Sequence, residues 1–422
     1  MSLMLRFPVR PERPRRRALA ALTAAAAALG CAAPAQAASP PRSVQYDLPS
    51  TKGNVDPSRV QFNGTTKSLT AWVRYPAGYD DDPGRKWPVL YLLHGWEDSS
   101  SAWLEWKKGQ FDAMAPDFPG LVVMPEGAKA WFINWANPAG NPGQKWGDYL
   151  LEEVVPYMER TLRIAPGRGN HAIGGLSMGG FGGLAAVSTL PTYFGHGLSF
   201  SGLLDNQDFN FSQILNIAQI GHPGYASVFG PSMGAYAEAM NPLKNPKEFA
   251  GSRLTVTYGT PAVQTAFIGD IRQRGEASLE IGAQGQARTF LNAMKGVPAS
   301  IYTSNRQNAS HAWYWWRNDL AAAVRRGVFG GTPISETAQA KSWTYGTMAD
   351  HGNAWGLGFK LPALPTQKVV LTRNGSTLTG AGRGTIRIEG GAADADASGN
   401  GTLADCSFTL TLPFTQQLPA SC

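Results

Sequence analysis

Apolar positions along the chain fall into short unbroken runs separated by glycine, proline and asparagine. Val89–Leu93 and Leu121–Pro125 are apolar throughout, as expected of strands covered on both faces. Lys67–Tyr75 alternates and predicts an early strand, and Asp80–Gly84 predicts a turn. Trp103–Met114 predicts a helix, and Trp131–Gly147, rich in tryptophan, asparagine, proline and glycine, a loop. Over Tyr149–Leu162 the residues Leu150, Val154, Tyr157, Met158 and Leu162 recur at helical spacing. Further on, His171–Gly174, Leu198–Ser201, Leu254–Tyr258 and Ser300–Thr303 read as strands, and Phe181–Leu190 and Ser278–Met294 as helices. Asp205–Phe249 is an excursion that predicts a cap. Strands alternating with helices in this way predict an α/β fold, a mainly parallel sheet with helices on both faces. From Gly331 the pattern changes, and Val369–Leu412 carries short β-rich runs with few helical signals. The predicted organisation is therefore a leader over 1–37, a catalytic domain over 38–330 and a small all-β module over 331–422.

The leader is set apart by composition. Six arginines between Arg6 and Arg17 precede a 13-residue apolar run, Ala18–Gly30, and Ala35-Gln36-Ala37 forms a small-residue cleavage site. The run is short of the roughly 20 residues needed to cross a bilayer, so a signal peptide and a secreted or envelope-associated product are expected. The full chain carries +7, of which the leader, with Glu12, supplies a net +5. The remaining charge of about +2 gives no support for a nucleic-acid partner. Of three cysteines, Cys406 and Cys422 lie beyond the leader, and in an exported chain they predict a disulfide pinning the C-terminal tail. Closing a loop of that size contributes on the order of 3 kcal/mol. No C-x-x-C or H-E-x-x-H is present, and neither a metal site nor a cofactor is expected.

The chemistry centres on Gly175-Leu176-Ser177-Met178-Gly179, a G-x-S-x-G between a predicted strand and an alanine-rich predicted helix. A serine on so sharp a turn needs glycine two residues to either side, where side chains would collide with the sheet. The helix start behind it offers backbone N–H groups and a partial positive charge. With 49 glycines in 422 residues, such a pentapeptide arises by chance roughly 0.4 times. Gly230-Pro231-Ser232-Met233-Gly234 is a second match, but its proline cannot donate to a ladder and no apolar helix follows. Context therefore selects Ser177 as nucleophile and assigns Ser232 to a loop.

A serine nucleophile needs a histidine to take its proton and a carboxylate to orient that histidine. In this fold the order is serine, acid, histidine. Among six histidines, His94 and His171 precede Ser177, His196 and His222 precede the strand expected to carry the acid, and His351 lies in the C-terminal region. This leaves His311, in Ser310-His311-Ala312-Trp313-Tyr314-Trp315-Trp316. Asp270, Glu276 and Glu280 all follow the Leu254–Tyr258 strand, and pattern does not separate them. The tryptophans Trp96, Trp103, Trp131, Trp135, Trp146 and Trp313 either line a cleft for a sugar or acyl chain or fill a large core.

The stretches HAIGGLSMGG, SFSGLLDNQ, GYASVFGP and HAWYWW, in that order, resemble the secreted mycolyltransferases of the antigen 85 kind and the wider esterase D and feruloyl-esterase group. The resemblance runs from about Lys67 to Arg325. It implies an α/β-hydrolase fold, Ser177 as nucleophile, His311 as base and, from Ser278-Leu279-Glu280, Glu280 as the acid. It implies an oxyanion hole made by the backbone N–H groups of Trp96 and Met178. Where the mycolyltransferases carry Asp-Gly-Leu-Arg, this chain has His94-Gly95-Trp96-Glu97, the His-Gly form of ordinary esterases, and Pro138–Gly143 replaces that family's cysteine pair. His94, Glu97, Trp131, Trp135 and Trp313 are the candidate substrate-binding residues. The expected function is a secreted serine acyltransferase or carboxylesterase acting on ester-linked acyl groups of envelope lipids or glycolipids. The alternatives are a feruloyl- or acetyl-type carbohydrate esterase and an idle hydrolase scaffold serving as a binding protein.

Overall fold

The apolar runs assemble side by side. The structure, a computed structural model, describes residues 38–59, 68–136, 144–208, 225–231, 233–262, 270–390, 406–420 and 422. The expectations for the leader, Ser232, His222, Pro138–Gly143 and Lys67 lie outside these residues, as does part of the Asp205–Phe249 excursion. Eight strands, β1 (Arg42–Asp47), β2 (Thr70–Tyr75), β3 (Val89–Leu93), β4 (Leu121–Pro125), β5 (His171–Leu176), β6 (His196–Phe200), β7 (Arg253–Thr260) and β8 (Ser300–Gln307), form one sheet. Their order is β1-β2-β4-β3-β5-β6-β7-β8. The pairs from β4 to β8 are parallel, and β1 and β2 add an antiparallel edge. Every side chain of β3, β4, β5 and β6 is buried, because helices cover both faces. Alternate residues feed separate cores: Val89, Tyr91 and Leu93 one, Leu90 and Leu92 the other. This is the α/β-hydrolase fold.

Three predicted helices come out differently. Over Trp103–Met114 only Phe111–Met114 is helical. The chain doubles back on Trp103 instead: the Phe111 N–H donates to the Trp103 carbonyl at 2.9 Å, and Gln110 adopts a left-handed φ of 50°. Trp103, fully buried, anchors this turn by donating its indole N–H to the Leu93 carbonyl at 2.9 Å. Over Tyr149–Leu162 a π-helical turn, Tyr149–Val154, precedes an α-helix over Val155–Thr161. Pro156 has no N–H for the i−4 carbonyl, so regular α-helix cannot run through it from the N-terminal side. The later helix begins earlier than predicted, at Ile271, where Asp270 and Gln273 form a capping box, and it runs to Ala293.

Residues after 331 build a second, antiparallel sheet from β9 (Ser342–Thr347), β10 (His351–Ala354), β11 (Leu357–Lys360), β12 (Val369–Asn374), β13 (Thr377–Gly390) and β14 (Ser407–Gln417). It has its own core around Trp343, Leu371, Ile386 and Ile388, and Cys406 and Cys422 are joined by a disulfide. Both sheets belong to one compact unit, Ser39–Cys422. They meet through polar contacts: the Tyr345 hydroxyl donates to the Thr189 carbonyl at 3.0 Å, the Gly346 N–H to Glu248 at 3.0 Å and the Arg168 N–H to Glu336 at 3.0 Å. Among the described residues no helix is long and apolar enough to cross a membrane.

Candidate active site

The carboxyl ends of β3, β5, β6, β7 and β8 converge on one point. β5 ends at Leu176, Ser177 follows, and a helix starts at Met178 and runs to Thr189. Ser177 sits at φ 51°, ψ −116°, a conformation held by its own N–H donating to the Phe200 carbonyl at 2.9 Å. The flanking glycines are needed for space. A Cβ on Gly175 would lie 2.0 Å from the Leu93 carbonyl oxygen, and one on Gly179 would lie 2.6 Å from that same oxygen. The turn is thus pressed against the end of β3 and aims its serine upward.

His311 follows β8 and precedes the helix Trp313–Arg326. Its Nε2 is 2.9 Å from the Ser177 Oγ and its Nδ1 is 2.8 Å from a Glu280 oxygen. A carboxylate at Nδ1 fixes the proton there and leaves Nε2 as the acceptor for the serine proton. Glu280 is fully buried. Its other oxygen accepts the Gly259 N–H at 2.5 Å and the Ser201 hydroxyl at 2.8 Å, so both oxygens are occupied without water. The remaining two candidate acids point elsewhere. Asp270 caps its helix through the Gln273 N–H at 2.8 Å, and the Glu276 carboxylate pairs with Arg272 at 2.8 Å and accepts the Ser310 hydroxyl. Ser201, with a φ of 49° at the end of β6, was not singled out by sequence reasoning, although SFSG contains it.

Ser177 and His311 are each 9% exposed, at the floor of a cleft of about 1000 Å3. Its walls include Gly95, Trp96 and Glu97 from the loop after β3, Trp131, and Trp313 with Tyr314. Charged groups, among them Asp98, Lys107, Lys108, Arg272 and Arg317, alternate with the aromatic rings. Asp98 accepts the Trp313 indole N–H at 3.3 Å and pairs with Lys108 at 3.2 Å, tying the loop after β3 to the helix after His311. Lys129 lies 3.9 Å above the Trp96 ring.

Two candidate substrate-binding residues lie elsewhere. His94 is 1% exposed and beneath the cleft, where it faces Glu126 and Gly127 rather than a ligand. Burial opposes its cation, but the Glu126 carboxylate, the Gly95 carbonyl and Asp98 together outweigh burial and raise its pKa above the ordinary imidazole value. Trp135 donates its indole N–H to the Ala130 carbonyl at 3.2 Å and borders a second, smaller cavity at the joint between the sheets. Trp103 and Trp146 fill the core, as one of the two expectations for the tryptophans had it.

Residues 63–326 match the family model described as putative esterase. The chain belongs to the esterase family. Its sequence is 27% identical over 259 residues to a diacylglycerol acyltransferase/mycolyltransferase Ag85C of Mycobacterium avium, covering 56% of this chain and 68% of that one. It is also 27% identical to Esterase Rv1288 of Mycobacterium tuberculosis over 52% of this chain and 50% of that one. An endo-1,4-beta-xylanase/feruloyl esterase of Xylanibacter ruminicola is 28% identical over 36% of this chain and 22% of its own length. The chain thus spans about half to two thirds of the mycobacterial relatives and less of the xylanase. Among solved structures, Mycobacterium tuberculosis MPT51 (FbpC1) superposes with a TM-score of 0.52 at 20% identity, over 68% of this chain and 99% of that one. An S-formylglutathione hydrolase from Agrobacterium tumefaciens superposes at 0.51 with 15% identity, over 68% and 95%. At these identities the superpositions speak for the fold alone.

Proposed function

We propose that this esterase-family protein is an exported acyl-serine enzyme that takes an acyl group from an ester and passes it to water or a second alcohol. The observation that carries the reading is the continuous chain from the Ser177 Oγ through His311 to Glu280, at 2.9 and 2.8 Å, at the floor of an open cleft. The Ser177 Oγ attacks the ester carbonyl while its proton passes to the His311 Nε2. The tetrahedral oxyanion lies against the N–H groups of Met178 and Trp96, donors of a kind worth about 3 kcal/mol each when removed. Collapse expels the alcohol, which leaves with the proton from His311, and the acyl group stays on Ser177. An incoming alcohol or water then gives its proton to His311 and takes the acyl group, and His311 returns that proton to the Ser177 Oγ as the acyl–oxygen bond breaks. Glu280, at the His311 Nδ1, orients the ring and stabilises the imidazolium.

The wall composition bears on the substrate. Indole rings beside carboxylates, lysines and arginines suit a polar, hydroxyl-rich head group stacked on aromatic faces. This favours an ester of a sugar or glycolipid, in keeping with the kinds of relative that match. In the mycolyltransferases that this chain resembles, the Asp and Arg of the Asp-Gly-Leu-Arg stretch help to hold trehalose; the His94-Gly95-Trp96-Glu97 stretch lacks both, which speaks against trehalose as the acceptor. A carbohydrate esterase that only hydrolyses is the second reading, favoured by this His-Gly form. The basic, apolar leader supports export. Turnover of p-nitrophenyl butyrate, abolished in Ser177→Ala, is the expected result. An inactive parent protein would leave only the binding-protein reading. Incubation with acylated glycans and free sugar, with products followed by mass spectrometry, separates transfer from hydrolysis.

A further inference from the structure

Beneath the cleft lies a buried carboxylate that the reaction as written does not use. Glu126 is the first residue after β4 and is 2% exposed. One of its oxygens accepts the Ser100 N–H at 3.0 Å. The other accepts the Ala128 N–H at 2.8 Å, lies 3.2 Å from the His94 Nε2 and shares with that nitrogen the Gly127 N–H, which is 3.2 Å from the carboxylate and 3.0 Å from the imidazole. His94 in turn donates its Nδ1–H to the Gly95 carbonyl at 2.7 Å. The carboxylate therefore grips both ends of the loop that carries Gly95 and Trp96, at His94 and at Ser100. It grips the start of a second loop as well. In that loop Ala128, Trp131 and Phe132 all have left-handed φ values of 43°, 68° and 57°, a strained backbone that persists only where its surroundings hold it. Trp131 walls the cleft, and its N–H donates to the Met178 Sδ at 3.4 Å.

Gly95 leaves little slack. A Cβ there would lie 2.4 Å from Leu176 and 2.9 Å from Asp98, so the peptide that ends in the Trp96 N–H is wedged between the nucleophile's own strand and the turn that follows. Asp98, through Trp313 and Lys108, holds the outer side of this loop, and the contacts at His94 and Ser100 hold its inner side. We propose that Glu126 is a positioning residue: through His94 and the Ser100 N–H it fixes the Gly95–Trp96 peptide relative to Ser177, and with it one donor to the oxyanion. The inference rests on the acyl-serine reading and extends it to a residue that touches neither substrate nor the reacting atoms.

Glu126→Gln tests it, since the amide keeps the shape but must turn its NH2 toward either the Ser100 N–H or the Gly127 and Ala128 N–H groups. With p-nitrophenyl butyrate, kcat is expected to fall about 10- to 100-fold, the size of effect that small misplacements produce, with KM within about twofold. The Ki of a boronic acid, whose tetrahedral adduct on Ser177 mimics the oxyanion, is expected to rise by the same factor. Glu126→Asp, which keeps the charge, is expected to recover part of both. A kcat within about threefold of the parent, or a loss confined to KM, overturns the proposal. Should Glu126→Gln not fold, His94→Asn, which breaks the same chain of contacts one link on, is judged by the same two criteria. A parent protein without turnover sinks the acyl-serine reading and this inference with it. An active parent alongside parent-like variants sinks this inference alone.

Discussion

Three carboxylates precede His311 on one helix, and what separates them is burial and direction. Asp270 and Glu276 are tied to groups at the start of the helix, while Glu280 is fully buried and hydrogen-bonded to the ends of β6 and β7. Glu280→Gln leaves the shape but removes the charge that favours the imidazolium. It is expected to lower kcat about 10³- to 10⁴-fold, whereas Asp270→Asn and Glu276→Gln cost less than about tenfold. Equal losses in all three would mean that the acid lies elsewhere. Ser177 and His311 were legible as candidates because the elbow motif and the serine, acid, histidine order are properties of sequence. Glu280 was not, since its partners Ser201 and Gly259 are 79 and 21 residues away, and only resemblance pointed to it. For the same reason His94 and Trp135 were misplaced: residue type suggests a ligand-facing role, but only packing reveals that one faces Glu126 and the other Ala130.

At the scale of elements, glycine marks two opposite situations. Gly175 lies where β5 meets β3, and a methyl there would be driven into the Leu93 carbonyl at 2.0 Å. Gly282 and Gly285, on the exposed face of the Ile271–Ala293 helix, have nothing within 4 Å of the same position. Gly175→Ala is therefore expected to destabilise by about 2 kcal/mol or more and to abolish turnover. Gly282→Ala is expected to stabilise by about 0.5–1 kcal/mol, with activity retained. Urea midpoints measure both, and a stable, active Gly175→Ala would contradict the steric account of the elbow. The buried strands were readable as continuous apolar runs, because a sheet covered on both faces selects such runs wherever it occurs. Trp103–Met114 was not, because periodicity cannot register that a tryptophan is pinned to a carbonyl at the end of β3 and pulls the chain into a turn. The edge strand β1 was also missed: its residues are mostly exposed or half-exposed, so no apolar signal marks it.

At the scale of the whole molecule, the change of character near Gly331 was readable, but the way the second sheet is fastened to the first was not, since it depends on charges brought together from distant positions. His351 of β10 lies between Asp350 at 2.6 Å and Glu152 of the π-helical turn at 2.7 Å. Asp148 is close enough that ligand atoms of Asp148, Glu152 and His351 lie within 4.8 Å of one another. Lys52 pairs with Glu152 at 3.4 Å and Lys145 with Asp148 at 3.8 Å, so with His351 protonated the cluster is balanced as an ion-pair latch. The hydrogen bonds that the imidazole donates to Asp350 and Glu152 raise the His351 pKa to about 10. A folded pKa above the unfolded value, near 6.5, means that the stabilisation is fully present below about pH 6.5 and is lost as pH rises through about 10. Glu248, buried at the same joint beside Gly346 and Lys368, is pushed up to about 7 by burial, which Lys368 only partly offsets. It too holds its proton more tightly when folded, so its contribution is present below about pH 4.5 and is lost as pH rises through about 7. Both groups make the joint weaken with rising pH, in two separate windows. In His351→Gln the upper window disappears: the difference in Tm between parent and variant is expected to be large near pH 6.5 and to vanish above pH 10. In Glu248→Gln the drop between pH 4.5 and 7 is expected to flatten while the upper one remains. A Tm difference for His351→Gln that stays constant from pH 6.5 to 10.5 would mean that the imidazole joins the two sheets by shape and not by charge.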